Sequence, residues 1–132
     1  MLDIKFIREN IELVKQTCIN RHMEIDVDLL LKLDDDRRTL LKKVEDLRAL
    51  RNQKSKGKPS AEEIERMRGV GDEIKQIEIE LEKVTTDYND LIYKVPNTTH
   101  VDTPVGKDET ENIVIRKVGA PKKFDFQPRE HW

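Results

Sequence analysis

The side chains best placed to do chemistry in this chain are cations. Between Arg48 and Arg68 it carries Arg48, Arg51, Lys54, Lys56, Lys58, Arg66 and Arg68 against Glu62, Glu63 and Glu65. Seven positive charges against three negative make this stretch +4, and because the whole chain carries −2, the remainder carries −6. A cationic cluster on an otherwise acidic chain is the kind of feature that phosphate backbones bind. Few aromatics accompany it, so stacking on splayed single-stranded bases is disfavoured, and the recognition expected is of backbone and shape in a structured RNA. The competing reading is that the same charges only keep an exposed turn solvated; charge alone divides the two about evenly.

Other chemistry finds little support. Cys18 is the single cysteine, so it has no disulfide or CxxC partner, and a reducing, cytoplasmic setting fits best. His22, His100 and His131 are scattered with no carboxylate or cysteine at ligand spacing, which assigns no metal site. Gly69, Val70 and Gly71 resemble the start of a dinucleotide loop, but they lie inside a helical pattern and Ile74 stands where the last glycine belongs. Val101 likewise spoils a phosphate loop ending at Lys107. Asp35 and Asp36 read as a charged helix surface, and no Ser, His and Asp arrangement has supporting context. No catalytic residue is therefore expected. The N-terminus MLDIKFIREN is charged from residue 3 and lacks the apolar core of a signal peptide. No run approaches the roughly 20 apolar residues of a membrane span.

The cations must be carried by helices. Hydrophobic residues make up 36%, charged residues 39% and aromatics 5% of the 132 residues, the mixture of long helices and coiled coils rather than of a thick core. Ile4, Ile7, Ile11, Val14 and Cys18 recur at three and four and predict short N-terminal helices, divided by Asn10 as an N-cap and ending near Arg21. After a connector at His22 to Ile25, Asp26 is a good N-cap for a helix with Leu30, Leu33, Arg37, Leu40, Val44 and Leu47 on one seam. It stops near Gly57, before Pro59. Ser60 to Glu63 form a capping box, opening a helix whose seam is Ile64, Met67, Val70, Ile74, Ile77, Leu81, Val84, Tyr88 and Leu91, halted by Pro96.

A connection at Gly57 to Pro59 is too short for anything but an antiparallel hairpin. Matching the seams outward from it pairs Val44 with Ile74, Leu40 with Ile77, Arg37 with Leu81, Leu33 with Val84 and Leu30 with Tyr88. Helices of about 30 residues are about 45 Å long, so the tip, at about 55–60, stands far from the base. Gly69 and Gly71 should loosen the arm near that tip, at about 1 kcal/mol each relative to alanine. Beyond Pro96 the pattern changes, and Ile113 to Val118 predict one β-strand that lacks a neighbour within the chain. The fold class expected is all-α: a long antiparallel two-helix coiled-coil hairpin over residues 1–95, braced by short N-terminal helices, followed at 96–132 by a linker containing one strand.

The start MLDIKFIREN, the stretch RNQKSK (Arg51 to Lys56) and the tail VPNTTHVDTPVGKDETENIVIRKVGAPKKFDFQPREHW closely resemble bacterial-type seryl-tRNA synthetases. The tail is the most specific part, matching the family's PN, PVGKDE, N and FDF motifs followed by P and H. Thr98 and Thr99 depart from it, standing where an apolar residue and proline are typical. The resemblance implies a class II synthetase that activates serine with ATP and Mg and charges its tRNA. Its coiled-coil arm would hold the long variable arm of serine tRNA. The catalytic domain and its cofactors would lie outside this fragment, which ends at Trp132 within the linking motif. The family acts as a homodimer through its catalytic domains, leaving the fragment free to be a monomer. On this basis the seven cations named above are candidate phosphate contacts, positioning RNA rather than reading its bases. The alternative is a coiled-coil protein-interaction module, which would need an apolar stripe outside the seam; Leu41 and Leu50 are where it would begin.

Overall fold

The computed structural model describes residues 2–54 and 60–131; the turn expected at Gly57 to Pro59 lies outside the described residues. The chain divides into two compact units, Met1–Val101 and Asp102–Trp132. The first contains α1 (Ile4–Glu9), α2 (Ile11–Asn20), α3 (Val27–Lys54) and α4 (Ala61–Ile92). α3 and α4 pack as a hairpin, as the two heptad seams require.

α1, α3 and α4 each begin where a short polar side chain satisfies free backbone donors. Asp3 accepts the N–H of Lys5 at 2.9 Å to open α1. Asp26 accepts the N–H of Leu29 at 2.8 Å at the start of α3. At α4, Ser60 Oγ accepts the Glu63 N–H at 3.2 Å and Glu63 accepts the Ser60 N–H at 2.9 Å, the expected capping box. Asn10 does divide α1 from α2, but its side chain makes no cap on α2. Its amide instead donates to the Phe6 carbonyl at 3.0 Å, spending the side chain on the end of α1. α2 ends with His22 in the left-handed region (φ 54), which lets the Met23 N–H reach back to the Cys18 carbonyl at 2.9 Å.

The core sits at the base of the hairpin. Ile7, Val14 and Cys18 from α1 and α2 meet Val27, Leu30 and Leu31 of α3 and Tyr88, Ile92 and Val95 at the far end of the chain's first unit. Beside this apolar cluster lies an ionic one. Asp34, with 0% exposure, accepts from Arg8 at 2.8 Å and Arg37 at 3.1 Å and pairs with Arg38 at 3.0 Å. Arg8 also holds Asp35 at 2.7 Å, and the Arg37 guanidinium lies 4.6 Å from the centre of the Tyr88 ring. α1, α3 and α4 are thus joined through one carboxylate and its cations. Burial alone would push the Asp34 carboxyl up; the bonds from Arg8 and Arg37 and the charge of Arg38 outweigh it and hold the group below its ordinary value.

Two side-chain contacts between α3 and α4 run diagonally to the expected seam pairs. The seam placed Arg37 opposite Leu81, whereas its ring partner is Tyr88. Farther out, Arg48 bonds Glu78, also well toward the base from the position expected. Side chains lean toward the N-terminus of their own helix, so on antiparallel helices two long side chains reach toward each other and meet diagonally. Burial thins toward the tip: Val44 and Ile74 are 2% and 4% exposed, but Ile64 is 44% exposed.

In the second unit a single 3-10 turn, Glu109–Glu111, is capped by Asp108, which accepts the Thr110 N–H at 2.9 Å. The strand expected at Ile113 to Val118 is not formed: no strand occurs among the described residues. Ile115 is 93% exposed. The β-branched residues there have no second strand to pair with, and β propensity expresses packing against such a neighbour rather than an intrinsic backbone preference.

Candidate nucleic-acid interface

The distal half of the hairpin carries an open cleft of about 680 Å³ lined by Arg48 and Arg51 from α3 and by Arg68, Gly71, Asp72, Ile74, Lys75 and Glu78 from α4. Arg48 and Arg51 lie one turn apart on α3, and Arg68 and Lys75 two turns apart on α4, so each helix presents its pair along one side. Ile74 is the last well-buried seam residue toward the tip. Past it the apolar seam is only half-buried, at Leu47, Met67 and Val70, and charged side chains line the cleft beside it.

The cations of this region are not equivalent. Arg48 is bonded across the hairpin to Glu78. Lys75 pairs with Asp72 at 3.0 Å and Arg68 with Glu65 at 3.4 Å, both within α4. Arg51 and Arg66 have no ion pair among the described residues. Surface pairs of this kind contribute little stability, about 0 to 1 kcal/mol each, so a stronger anion can displace the carboxylates. Four cations against two carboxylates leave the cleft lining at +2, which suits a phosphate.

Of the seven cations singled out in the sequence, Arg48, Arg51 and Arg68 line this one cleft. Arg66 is exposed on α4 without lining it. Lys54 is the last residue of α3, and Lys56 and Lys58 lie outside the described residues. Lys75 was missed, although its place one heptad after Arg68 puts it on the same face of α4. Glu78 and Asp72 were missed as well, because neither counts toward a cationic cluster.

Elsewhere among the described residues the chemistry is less clear. A second hollow, near the base, is lined in part by Lys15, Cys18, His22 and Asp28. Cys18 is only 3% exposed, and burial pushes its thiol up, away from the reactive thiolate.

The first unit is thus an all-α two-helix arm with a braced base and a cationic distal cleft. Residues 1–99 match the family model described as the seryl-tRNA synthetase N-terminal domain, and the chain belongs to that family. It is 39% identical over 140 aligned positions to a serine–tRNA ligase of Symbiobacterium thermophilum, covering 100% of this chain and 33% of the relative. A serine–tRNA ligase of Listeria innocua is 40% identical over 141 positions with the same coverage. The chain thus spans about a third of the length of the curated relatives it matches. Among solved structures, the seryl-tRNA synthetase of Pyrococcus horikoshii complexed with ATP superposes with a TM-score of 0.71 at 38% identity, covering 88% of this chain and 28% of that one.

Proposed function

We propose that this chain is the tRNA-binding arm of a serine–tRNA ligase, and that its distal cations hold the long variable arm of serine tRNA while a catalytic domain beyond this chain attaches serine. The observation that carries the reading is the convergence of Arg48, Arg51 and Arg68 from two helices on one cleft, in a chain that is otherwise acidic. Arg48, Arg51, Lys54, Lys56, Lys58, Arg66 and Arg68 are the proposed phosphate contacts. They act as positioning charges, because phosphate contacts fix register without carrying base information.

ATP and magnesium belong, in this reading, to the catalytic domain. Among the described residues no group of three His, Cys, Asp or Glu able to hold a metal occurs. The full-length protein would be a cytoplasmic homodimer; among the described residues no helix is long and apolar enough to cross a membrane. The protein-interaction alternative gains nothing from the exposed apolar residues of α3. Leu29, Leu41 and Leu50 are 43%, 44% and 37% exposed, but at about 100° per residue they point in three different directions and form no stripe.

Binding of the chain to serine tRNA, with and without its long variable arm, tests the reading across a salt series. Trimming the variable arm should weaken binding by about tenfold or more, equivalent to about 1.4 kcal/mol. Affinity for the intact tRNA should fall as salt rises, because bound phosphates release counterions. Equal, weak binding to both RNAs would remove the assignment of the variable arm to this cleft.

A further inference from the structure

Within the cleft, charge is restrained as well as supplied. Its lining holds four cations, Arg48, Arg51, Arg68 and Lys75, and two carboxylates, Asp72 and Glu78. Asp72 pairs three residues along its own helix with Lys75, an arrangement that any exposed helix makes. Glu78 is different. It bonds Arg48 thirty positions away in sequence, across the hairpin, and it does so at the inner end of the cleft, where Ile74 and Val44 seal the seam. The guanidinium of Arg48 is thereby drawn toward the base and engaged by a carboxylate, whereas Arg51, one turn nearer the tip, has no ion pair among the described residues.

Resting on the RNA-binding reading above, we infer that Glu78 is a specificity-setting residue of the arm: it restrains Arg48, which reaches a phosphate only by giving up this carboxylate, and leaves Arg51 free of any such cost. The physical reason is that RNA of any sequence or shape offers phosphates, and nonspecific binding is almost wholly electrostatic. A carboxylate that neutralises one cation lowers affinity for every RNA. The loss weighs most on those that gain nothing from shape, and least on an RNA whose fit to both helices supplies further contacts. Glu78 acts through Arg48 and is a positioning residue, not itself a ligand of the nucleic acid.

The test compares the 132-residue chain with Glu78→Gln, Arg48→Gln and the double variant. The probes are serine tRNA and the same tRNA lacking its long variable arm, and the readouts are affinity and its dependence on salt. Glu78→Gln should strengthen binding to the trimmed tRNA about threefold and to the intact tRNA by less, so that the ratio between the two falls. For the trimmed tRNA the slope of log affinity against log salt should steepen by about one, as Arg48, freed of its carboxylate, takes up a phosphate; a mere loosening of the hairpin would not steepen it. In the Arg48→Gln background the Glu78→Gln change should have no effect. Unchanged affinities and slope in Glu78→Gln, while the parent binds serine tRNA in a salt-dependent way, would overturn the role of Glu78 and leave the RNA-binding reading standing. An equal gain in the Arg48→Gln background would overturn the restraint of Arg48. A parent chain that binds neither RNA would remove the RNA-binding reading and this inference with it.

Discussion

At its base, the hairpin is covered on a third side. α1 and α2 lay Ile7, Val14 and Cys18 against Leu30, Tyr88 and Ile92, and Val14 and Leu30 are wholly sealed from solvent. Toward the tip, among the described residues, the same two helices have only each other. Apolar contact thins from Ile74 at 4% exposure to Ile64 at 44%, and cations replace it along the cleft. A two-helix contact buries a single stripe of each helix, and an isolated helix is marginal in water. The three-sided base can therefore hold the arm rigid, while the distal half is free to spend its surface on charge. Folding energy and binding chemistry occupy opposite ends of one pair of helices.

The sharpest way to break that division is to place the same charge in each half. Val14→Asp buries a carboxylate with no cation provided for it and should destabilise the chain by at least about 3 kcal/mol. Ile64→Asp, on exposed helix, should change stability by less than about 0.5 kcal/mol. Urea or thermal unfolding of the two variants measures the difference; similar losses would mean that the tip contributes to the core after all.

A smaller effect is expected at the ionic cluster of the base. Asp34→Asn leaves Arg8, Arg37 and Arg38 without their shared carboxylate. Because those arginines keep partial access to water, the loss should be about 2 to 3 kcal/mol, below that of a fully buried pair. The pH dependence follows from the lowered Asp34 value. The stabilisation is fully present above the unfolded carboxyl value, near 3.8, and is lost as pH falls through the lower folded one. Melting of the parent chain should therefore drop in acid below about pH 4, with a weaker dependence in Asp34→Asn. Identical acid profiles would detach this cluster from stability.

The smallest change concerns the distal half alone. A Cβ added at Gly69 would meet nothing within 4 Å, so Gly69→Ala should stabilise the helix by about 0.5 to 1 kcal/mol. It should also slow amide hydrogen exchange near the start of α4 without altering exchange in α1 and α2. A gain spread evenly over the chain would argue that base and tip unfold as one unit.

Much of this was legible in the residues. The alternation of three and four from Leu30 to Leu47 and from Ile64 to Leu91 requires helices, and Asp26, Ser60 and Glu63 mark where they start, because the groups that satisfy a helix terminus are local in sequence. The cationic cluster was legible as a count. Its division into restrained Arg48 and free Arg51 was not, since Glu78 is thirty residues from its partner. Asp34 was not singled out, although its neighbours Asp35 and Asp36 read as a charged helix surface. Its place four residues after Leu30 and three before Arg37 sets it at the edge of the seam, a signal available but easily lost in the run Asp34 to Asp36. The run from Ile113 to Val118 misled for a different reason: a strand is a property of two segments, and β-branched composition describes only one.

By itself, then, the sequence determined the number of helices, their polarity, where they begin and which stretch carries the positive charge, because each depends on residues within a turn or two of one another. Tertiary structure decided the register. A heptad seam slid by one turn still sets apolar residues against apolar residues, so hydrophobic burial is nearly degenerate among such offsets. Directional contacts are not: Arg37 over the ring of Tyr88 and Arg48 bonded to Glu78 each tie one residue of α3 to one of α4. Buried polar contacts can select among alternatives that packing leaves nearly equal. The offset they select also decides which cations meet across the cleft.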